Sequence, residues 1–307
     1  MKIRVLGSAA GGGCPQWNCA CANCRGARDG SVRVEARTQE CVAVSGDGET
    51  WFLLNASPEI RLQIESFPPL HPRALRDSPI EGILLTNGDL DHTLGLLSLR
   101  ESQPLVVYAT ETVRRGFVES NVLYRTLQRF PEQVTWRTLL PDSALELTRR
   151  TLAPAGLSVE AFAVPGKAPI HLEGLGSTPS GGENVGLRIR EQGTGRVLVY
   201  LSAVGRLTAE VLAAVVGADA VFFDGTFWSE DELRELGASE KRASDMAHLP
   251  IGGRDGSLAS LSGARAPFRV YIHLNNTNPV LREDSPERAA VGRAGWRIAR
   301  DGMEIAL

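Results

Sequence analysis

Three apolar runs, each of a length that suits one buried strand, end in side chains that bind metal ions or carry protons. Leu84-Leu85 leads to Asn87, Asp89, Asp91 and His92, Val221-Phe222-Phe223 leads to Asp224, and Val270-Tyr271-Ile272 leads to His273. A fold that uses these residues together must bring the carboxyl ends of remote strands to one edge, where loops on a rigid scaffold hold the site. Taken singly, Asp224 before Gly225 reads as a turn former and His273 as a core histidine. The repetition of the pattern is what points to a shared site.

Strand character recurs at 3–6, 40–45, 51–55, 82–85, 105–108, 157–164, 185–190, 197–201, 220–223 and 269–273. Helical spacing is found at 93–98, 111–119, 208–216, 230–236 and 287–294. The two kinds of element intermix without a strict βαβ rhythm, which favours two sheets with helices outside them. No repeat and no proline- or serine-rich linker divides the chain, so one domain over 1–307 is expected, and the glycine-rich 174–182 stretch reads as a surface loop. At 307 residues, 43% of them hydrophobic, the chain can bury a large core. A net charge of −3 without a basic cluster gives no basis for nucleic-acid binding. The amino-terminal apolar run is too short for a signal peptide, and nothing approaches the ~20 apolar residues of a membrane span. A cytoplasmic protein with reduced thiols and no membrane association is expected.

Local chemistry is densest at 87–92. In extended backbone Asn87, Asp89 and Asp91 would face the same way, with His92 reaching the other side of a shared ion as the chain turns toward the apolar 94–99 run. An Asp-rich turn capping the next helix would carry the same residue types. A second cluster lies in the 14–24 loop, where Cys19, Cys21 and Cys24 form a compact run of soft donors that suits a structural zinc. Zinc wants a fourth ligand, and Cys14, a distant His or Asn, or a water all qualify. Cys41 stands apart in a strand and reads as a small buried hydrophobe. Only three of the 33 basic residues are lysine, which makes Lys167 stand out.

The segment Asn87-Gly88-Asp89-Leu90-Asp91-His92 resembles the His-x-His-x-Asp-His signature of the metallo-β-lactamase superfamily, with both leading histidines replaced. Asp224 matches that superfamily's bridging Asp and His273 its last His, while Lys167 stands where a histidine is usual. The resemblance implies an α/β fold of the αββα sandwich type, two mixed sheets with helices outside. Within the superfamily the chain resembles, from end to end, the B family of pyrroloquinoline quinone (PQQ) biosynthesis proteins. The segments carrying the likeness are Leu6-Gly7-Ser8-Ala9-Ala10-Gly11-Gly12-Gly13, Pro15-Gln16-Trp17-Asn18-Cys19, Asn55-Ala56-Ser57-Pro58, Phe223-Asp224-Gly225-Thr226-Phe227-Trp228, His248-Leu249-Pro250-Ile251 and His273-Leu274-Asn275-Asn276-Thr277-Asn278-Pro279. It implies a role in making PQQ, as a hydroxylase of the tyrosine ring of a Glu-Tyr-derived precursor, with transport of the cofactor or its precursor as the older alternative. It also implies a zinc on Cys19, Cys21 and Cys24, in agreement with the thiolate argument.

The substitutions constrain the chemistry further. Asn87, Asp89 and Lys167 in place of histidines remove most of the nitrogen donors a two-zinc hydrolytic site needs. His92 and His273 with a carboxylate from Asp89, Asp91 or Asp224 compose the two-histidine, one-carboxylate set of non-haem iron(II) oxygenases. Iron(II) is therefore the expected active-site metal, other divalent ions being compatible, and a metal-dependent hydrolase is the further alternative. Lys167 is placed to hold a substrate carboxylate as a point charge, and His248 to enter the pocket as proton donor or acceptor, or to serve as a cap. Asn275, Asn276 and Asn278 flank His273 and can support it or approach the thiolate zinc. His71 and His171 read as surface or packing residues. The expected partners are a small-molecule or dipeptide precursor and other PQQ biosynthesis proteins, and a homodimer could form across the stapled cysteine loop.

Overall fold

Strands buried on both faces must be covered by helices on the side away from their partner sheet. A computed structural model describes residues 1–119, 121–169 and 182–307, and among them two seven-stranded sheets meet this requirement. The strands are β1 (Lys2–Gly7), β2 (Cys41–Ser45), β3 (Trp51–Leu54), β4 (Ile80–Leu84), β5 (Leu105–Ala109), β6 (Val134–Thr138), β7 (Ala144–Thr148), β8 (Pro154–Ala163), β9 (Val185–Glu191), β10 (Val197–Leu201), β11 (Ala220–Asp224), β12 (Phe268–Ile272), β13 (Arg297–Ile298) and β14 (Glu304–Ala306). One sheet runs β14-β1-β2-β3-β4-β5-β6 and the other β13-β12-β11-β10-β9-β8-β7. Both are mixed. β3 to β6 pair in parallel, as do β10 to β13, and the remaining pairs are antiparallel.

Three apolar layers account for the stacking. Val5, Val44, Phe52 and Leu54 of the first sheet meet Leu157, Ile189, Tyr200 and Phe222 of the second. On the outer face of the first sheet, Leu53, Ile83 and Val107 pack on Ile60, Leu96, Val113 and Phe117. On the outer face of the second, Val199, Val221 and Tyr271 pack on Val211, Val215 and Val291. The architecture is the αββα sandwich anticipated from the sequence. Helix Ala209–Val215 starts where Thr208 accepts the Val211 N–H, and Pro286–Arg293 where Ser285 accepts the Arg288 N–H. No helix among the described residues is long and apolar enough to cross a membrane.

All ten expected strands are present. The 230–236 helix is shorter, Glu232–Glu235, and the 93–98 helix is two pieces, Leu90–Thr93 and Gly95–Ser98. His171 and residues 174–181 of the glycine-rich stretch lie outside the described residues. Cys41 is fully buried, its thiol against the Asn55 carbonyl at 3.3 Å.

The parallel strands point their carboxyl ends to one edge of the sandwich, and there the sheets join. The Thr86 and Ser202 hydroxyls, following β4 and β10, lie 3.3 Å apart, and Val185 N donates to Thr86 O at 2.9 Å. This edge carries the functional residues.

Candidate functional site

The stretch after β4 is not extended to its end. Asp89 is the N-cap of the short helix Leu90–Thr93, so Asp91 and His92 project from a helical turn rather than from extended backbone, and Asn87, Asp89 and Asp91 nonetheless line one cavity. Asn87 also turns to His92. Its Oδ1 accepts the Asp89 N–H at 3.1 Å, which fixes that atom as oxygen, and the same oxygen lies 2.7 Å from His92 Nδ1. Nδ1 therefore carries the hydrogen, and Nε2 keeps its lone pair. That Nε2 is buried and without a hydrogen-bond partner. Burial, chiefly, lowers His92 to about 4, so the ring stays neutral and able to ligate.

A similar device prepares His273. Thr226 donates its hydroxyl to Asp224 Oδ1 at 2.6 Å and so accepts from His273 Nδ1 at 2.8 Å, leaving Nε2 3.1 Å from Asp91 Oδ2. Burial alone would depress His273, but Asp91 outweighs it and raises the imidazole to about 9. Asp91 moves the opposite way: burial would raise it, yet His92 and His273 hold it well below the usual carboxylate range. The proton between His273 and Asp91 occupies the place a cation would take, since ligation requires its release. Asp91, His92 and His273 bring one donor atom each within 4.8 Å of one another. An ion with bonds of roughly 2.1 Å needs donors only slightly closer, so the triad fits a divalent metal.

Asp224, expected as a ligand, spends both oxygens on the protein. Oδ1 takes Thr226 N at 3.0 Å and the Thr226 hydroxyl, and Oδ2 takes Val204 N at 2.8 Å and His248 Nδ1 at 2.7 Å. Four donors saturate a carboxylate. In this arrangement Asp224 orients His248 directly and His273 through Thr226. His248, read from sequence as a proton carrier or cap, stacks on His273 with centroids 5.5 Å apart and belongs to a second donor group, Asp224, His248 and His273. Asp89, Asp91, Lys167, His248 and His273 all line one cavity of about 210 Å³. Asp89 stands outside both donor groups, and burial, then Asp91, pushes its carboxyl up to about 6. Lys167 also lines a neighbouring hollow of about 610 Å³.

Sequence reasoning missed Glu40, Asn55 and Thr226 as parts of this site. Glu40 is fully buried, with Oε2 3.2 Å from His92 Nε2, and burial raises it to about 8. The available signal was a charged residue heading the apolar Cys41-Val42-Ala43-Val44 run. Thr226 is an outer support of the kind whose loss typically weakens metal affinity 10–100-fold. Thr226→Val is expected to lower divalent-metal affinity within that range, measured by chelator competition, with the thermal midpoint little changed.

The thiolate cluster is built beside the His273 loop. Cys21 caps helix Ala22–Asp29, which carries Cys24, and the sulfurs of Cys19, Cys21 and Cys24 lie within 4.8 Å of one another. The Asn276 carboxamide sits 3.2 Å from Cys19 Sγ, 3.8 Å from Cys21 Sγ and 3.3 Å from Cys24 Sγ. Turned over, it would present Oδ1 as a fourth donor, and three thiolates with one oxygen suit tetrahedral zinc. Of the protein groups open from sequence as the fourth ligand, Asn276 lies against all three sulfurs. Cys14 is buried beside Cys24 but outside the group, and burial raises its thiol to about 11.

Residues 50–274 match the β-lactamase superfamily domain. The chain is 46% identical to the coenzyme PQQ synthesis protein B of Methylorubrum populi and 43% identical to that of Pseudomonas putida, each match covering 100% of both chains. The crystal structure of Zn2+-bound PqqB from Methylobacterium extorquens aligns with a TM-score of 0.90 at 43% identity, again over 100% of both chains. A diphosphatase of the PhnP family aligns at 0.65 with 20% identity, over 99% of this chain and 96% of that one, and shares the fold.

Proposed function

The chain belongs to the coenzyme PQQ synthesis protein B family of the β-lactamase superfamily, and from that membership we propose that it acts in PQQ synthesis as an iron(II)- and oxygen-dependent hydroxylase of a tyrosine-containing precursor. The observation that carries the reading is the triad of half-buried Asp91 and buried His92 and His273, two imidazoles and one carboxylate. This donor set leaves coordination positions open. Iron(II) bound there would supply oxygen activation for insertion into the aromatic ring.

The chain's own residues do the rest. Asn87 holds His92 with Nε2 available, and Thr226 and Asp224 hold His273 likewise. Lys167 lines both hollows and is suited to a carboxylate of a Glu-Tyr-derived precursor. His248 lines the cavity with Nδ1 held by Asp224, which leaves its other nitrogen for proton exchange with a bound phenol.

A second reading, a two-ion hydrolase, draws on the Asp224, His248 and His273 group. The saturation of Asp224 by four protein donors counts against it. Iron-loaded protein, supplied with air and a reductant, is expected to convert a tyrosine-containing dipeptide to its catechol and to be inactive without oxygen. Zinc-loaded protein cleaving an ester or phosphodiester without oxygen, and no catechol from the iron form, would replace the hydroxylase with the hydrolase.

A further inference from the structure

Among the described residues, Glu40 is the fully buried acid at this edge that the donor groups above leave without a task. It precedes β2, has no exposed surface, and among the described residues pairs with no lysine or arginine. Burying a carboxylate in this way is costly unless it is paired or coordinates a metal. Its Oε1 has no hydrogen-bond partner. Oε2 accepts Asn55 Nδ2 at 2.8 Å and faces His92 Nε2 at 3.2 Å. Because His92 Nδ1 is committed to Asn87, the two facing atoms both present lone pairs, an arrangement that calls for a cation or a proton between them.

The carboxylate is held there deliberately. Asn55, just past β3, adopts φ 62, a left-handed conformation that non-glycine residues seldom take. In that conformation its Nδ2 reaches Glu40 while its Oδ1 accepts the Thr86 N–H at 2.9 Å and lies 3.1 Å from the Thr86 hydroxyl. A strained residue fixed by both strand ends thus aims an unpaired acid at a ligand nitrogen, as local strain at functional sites commonly does.

We infer that Glu40 is a further ligand of the ion taken by His92, approaching it from the protein interior. This rests on the metal-centre reading above and adds a donor from outside the 87–92 segment; Glu40 faces His92 and lies outside the three-residue donor group, so ligation draws its carboxylate toward the ion. A separation near 3.2 Å is what two neighbouring donors show when each lies roughly 2.1 Å from one metal. The added negative charge favours a divalent cation over a neutral site, and an oxygen donor favours iron(II) or manganese(II) over softer ions.

Manganese(II) binding to the full-length, zinc-loaded protein tests this, because thiolates take that ion poorly and free manganese is read directly by its paramagnetic resonance signal. Glu40→Gln keeps shape and removes charge, and is expected to weaken manganese binding at least tenfold. Without manganese, Glu40→Gln is expected to melt no lower than the parent, since the amide keeps the shape of the buried carboxyl and can still meet Asn55 Nδ2 and His92 Nε2. The inference is overturned if Glu40→Gln binds manganese like the parent, or if it melts lower without the ion, which would make Glu40 a structural residue. His273→Ala is the control for the centre itself. If that variant binds manganese like the parent, or the parent binds none, the metal-centre reading has failed, whatever Glu40 does.

Discussion

His273→Ala is expected to eliminate turnover, to below about 1% of the parent rate, and to strip the active-site metal while leaving the thiolate zinc in place. His273 belongs to both donor groups, so no other imidazole can substitute for it without moving. Its removal also leaves Asp91 buried beside one neutral imidazole, no longer drawn toward a cationic partner. An outer support costs 10–100-fold when lost; a ligand shared by every arrangement of the site should cost more. The fold is expected to survive, because the core beneath is carried by Val270, Tyr271 and Ile272. One local penalty is expected: His273 has φ 59, and alanine in the left-handed region costs on the order of 1 kcal/mol. Elemental analysis of the purified variant, with turnover measured in parallel, decides the matter. A variant that keeps its active-site metal and a tenth of the parent rate would remove His273 from the metal.

The sandwich was legible because its central strands are apolar on both faces, a signal independent of their partners. β6 and β7 escaped notice for the converse reason: they are edge strands, and Thr135, Arg137, Ala144 and Glu146 are solvent-exposed or half-exposed polar and small residues that mimic loop composition. β13 and β14 are two and three residues long, below any periodicity. Helix Ala22–Asp29 was hidden because its sequence begins inside the cysteine cluster, where metal ligation and helix formation use the same residues.

The site was legible where a strand end announced it, as at Asp91, His92, Asp224 and His273. The division of labour among those residues was not, because it depends on which oxygen faces which nitrogen. Asn87 reads as a lost histidine in one dimension and is a tautomer-fixing acceptor in three. Asp224 reads as a ligand, and in the fold it belongs to a donor group while its two oxygens also accept four protein donors. Glu40 lies some fifty residues from the motif and reaches it only because β2 and β3 are neighbours and β3 pairs with β4. Separation along the chain conceals such a residue; sheet order reveals it.

Cys24→Ser is expected to release one equivalent of zinc and to lower the thermal midpoint by roughly 5–10 °C. The size follows from what the cluster holds. In zinc-finger peptides the metal supplies essentially all folding energy, about 10–16 kcal/mol, because nothing else is buried. Here three apolar layers persist without it, so the loss is confined to the 14–24 loop and its contacts, a few kcal/mol, and each kcal/mol moves the midpoint of a chain this large by about 2–4 °C. The damage should nevertheless reach the active site. Asn23, next to Cys24, donates to the carbonyls of Asn276 and Asn278 at 2.9 Å each, and Asn278 Nδ2 donates to Gly225 O at 2.9 Å, beside Thr226. Loosening this loop frees Asn275 at the cavity wall and the backbone just beyond His273, so active-site metal affinity should fall although no active-site ligand has changed. Cys41→Ser separates this effect from general thiol loss: Cys41 is buried far from the cluster in sequence and outside its donor group, and its variant should keep the full zinc complement. If Cys24→Ser retained zinc, or lost it without weakening the active-site metal, the coupling through Asn23, Asn276 and Asn278 would be wrong.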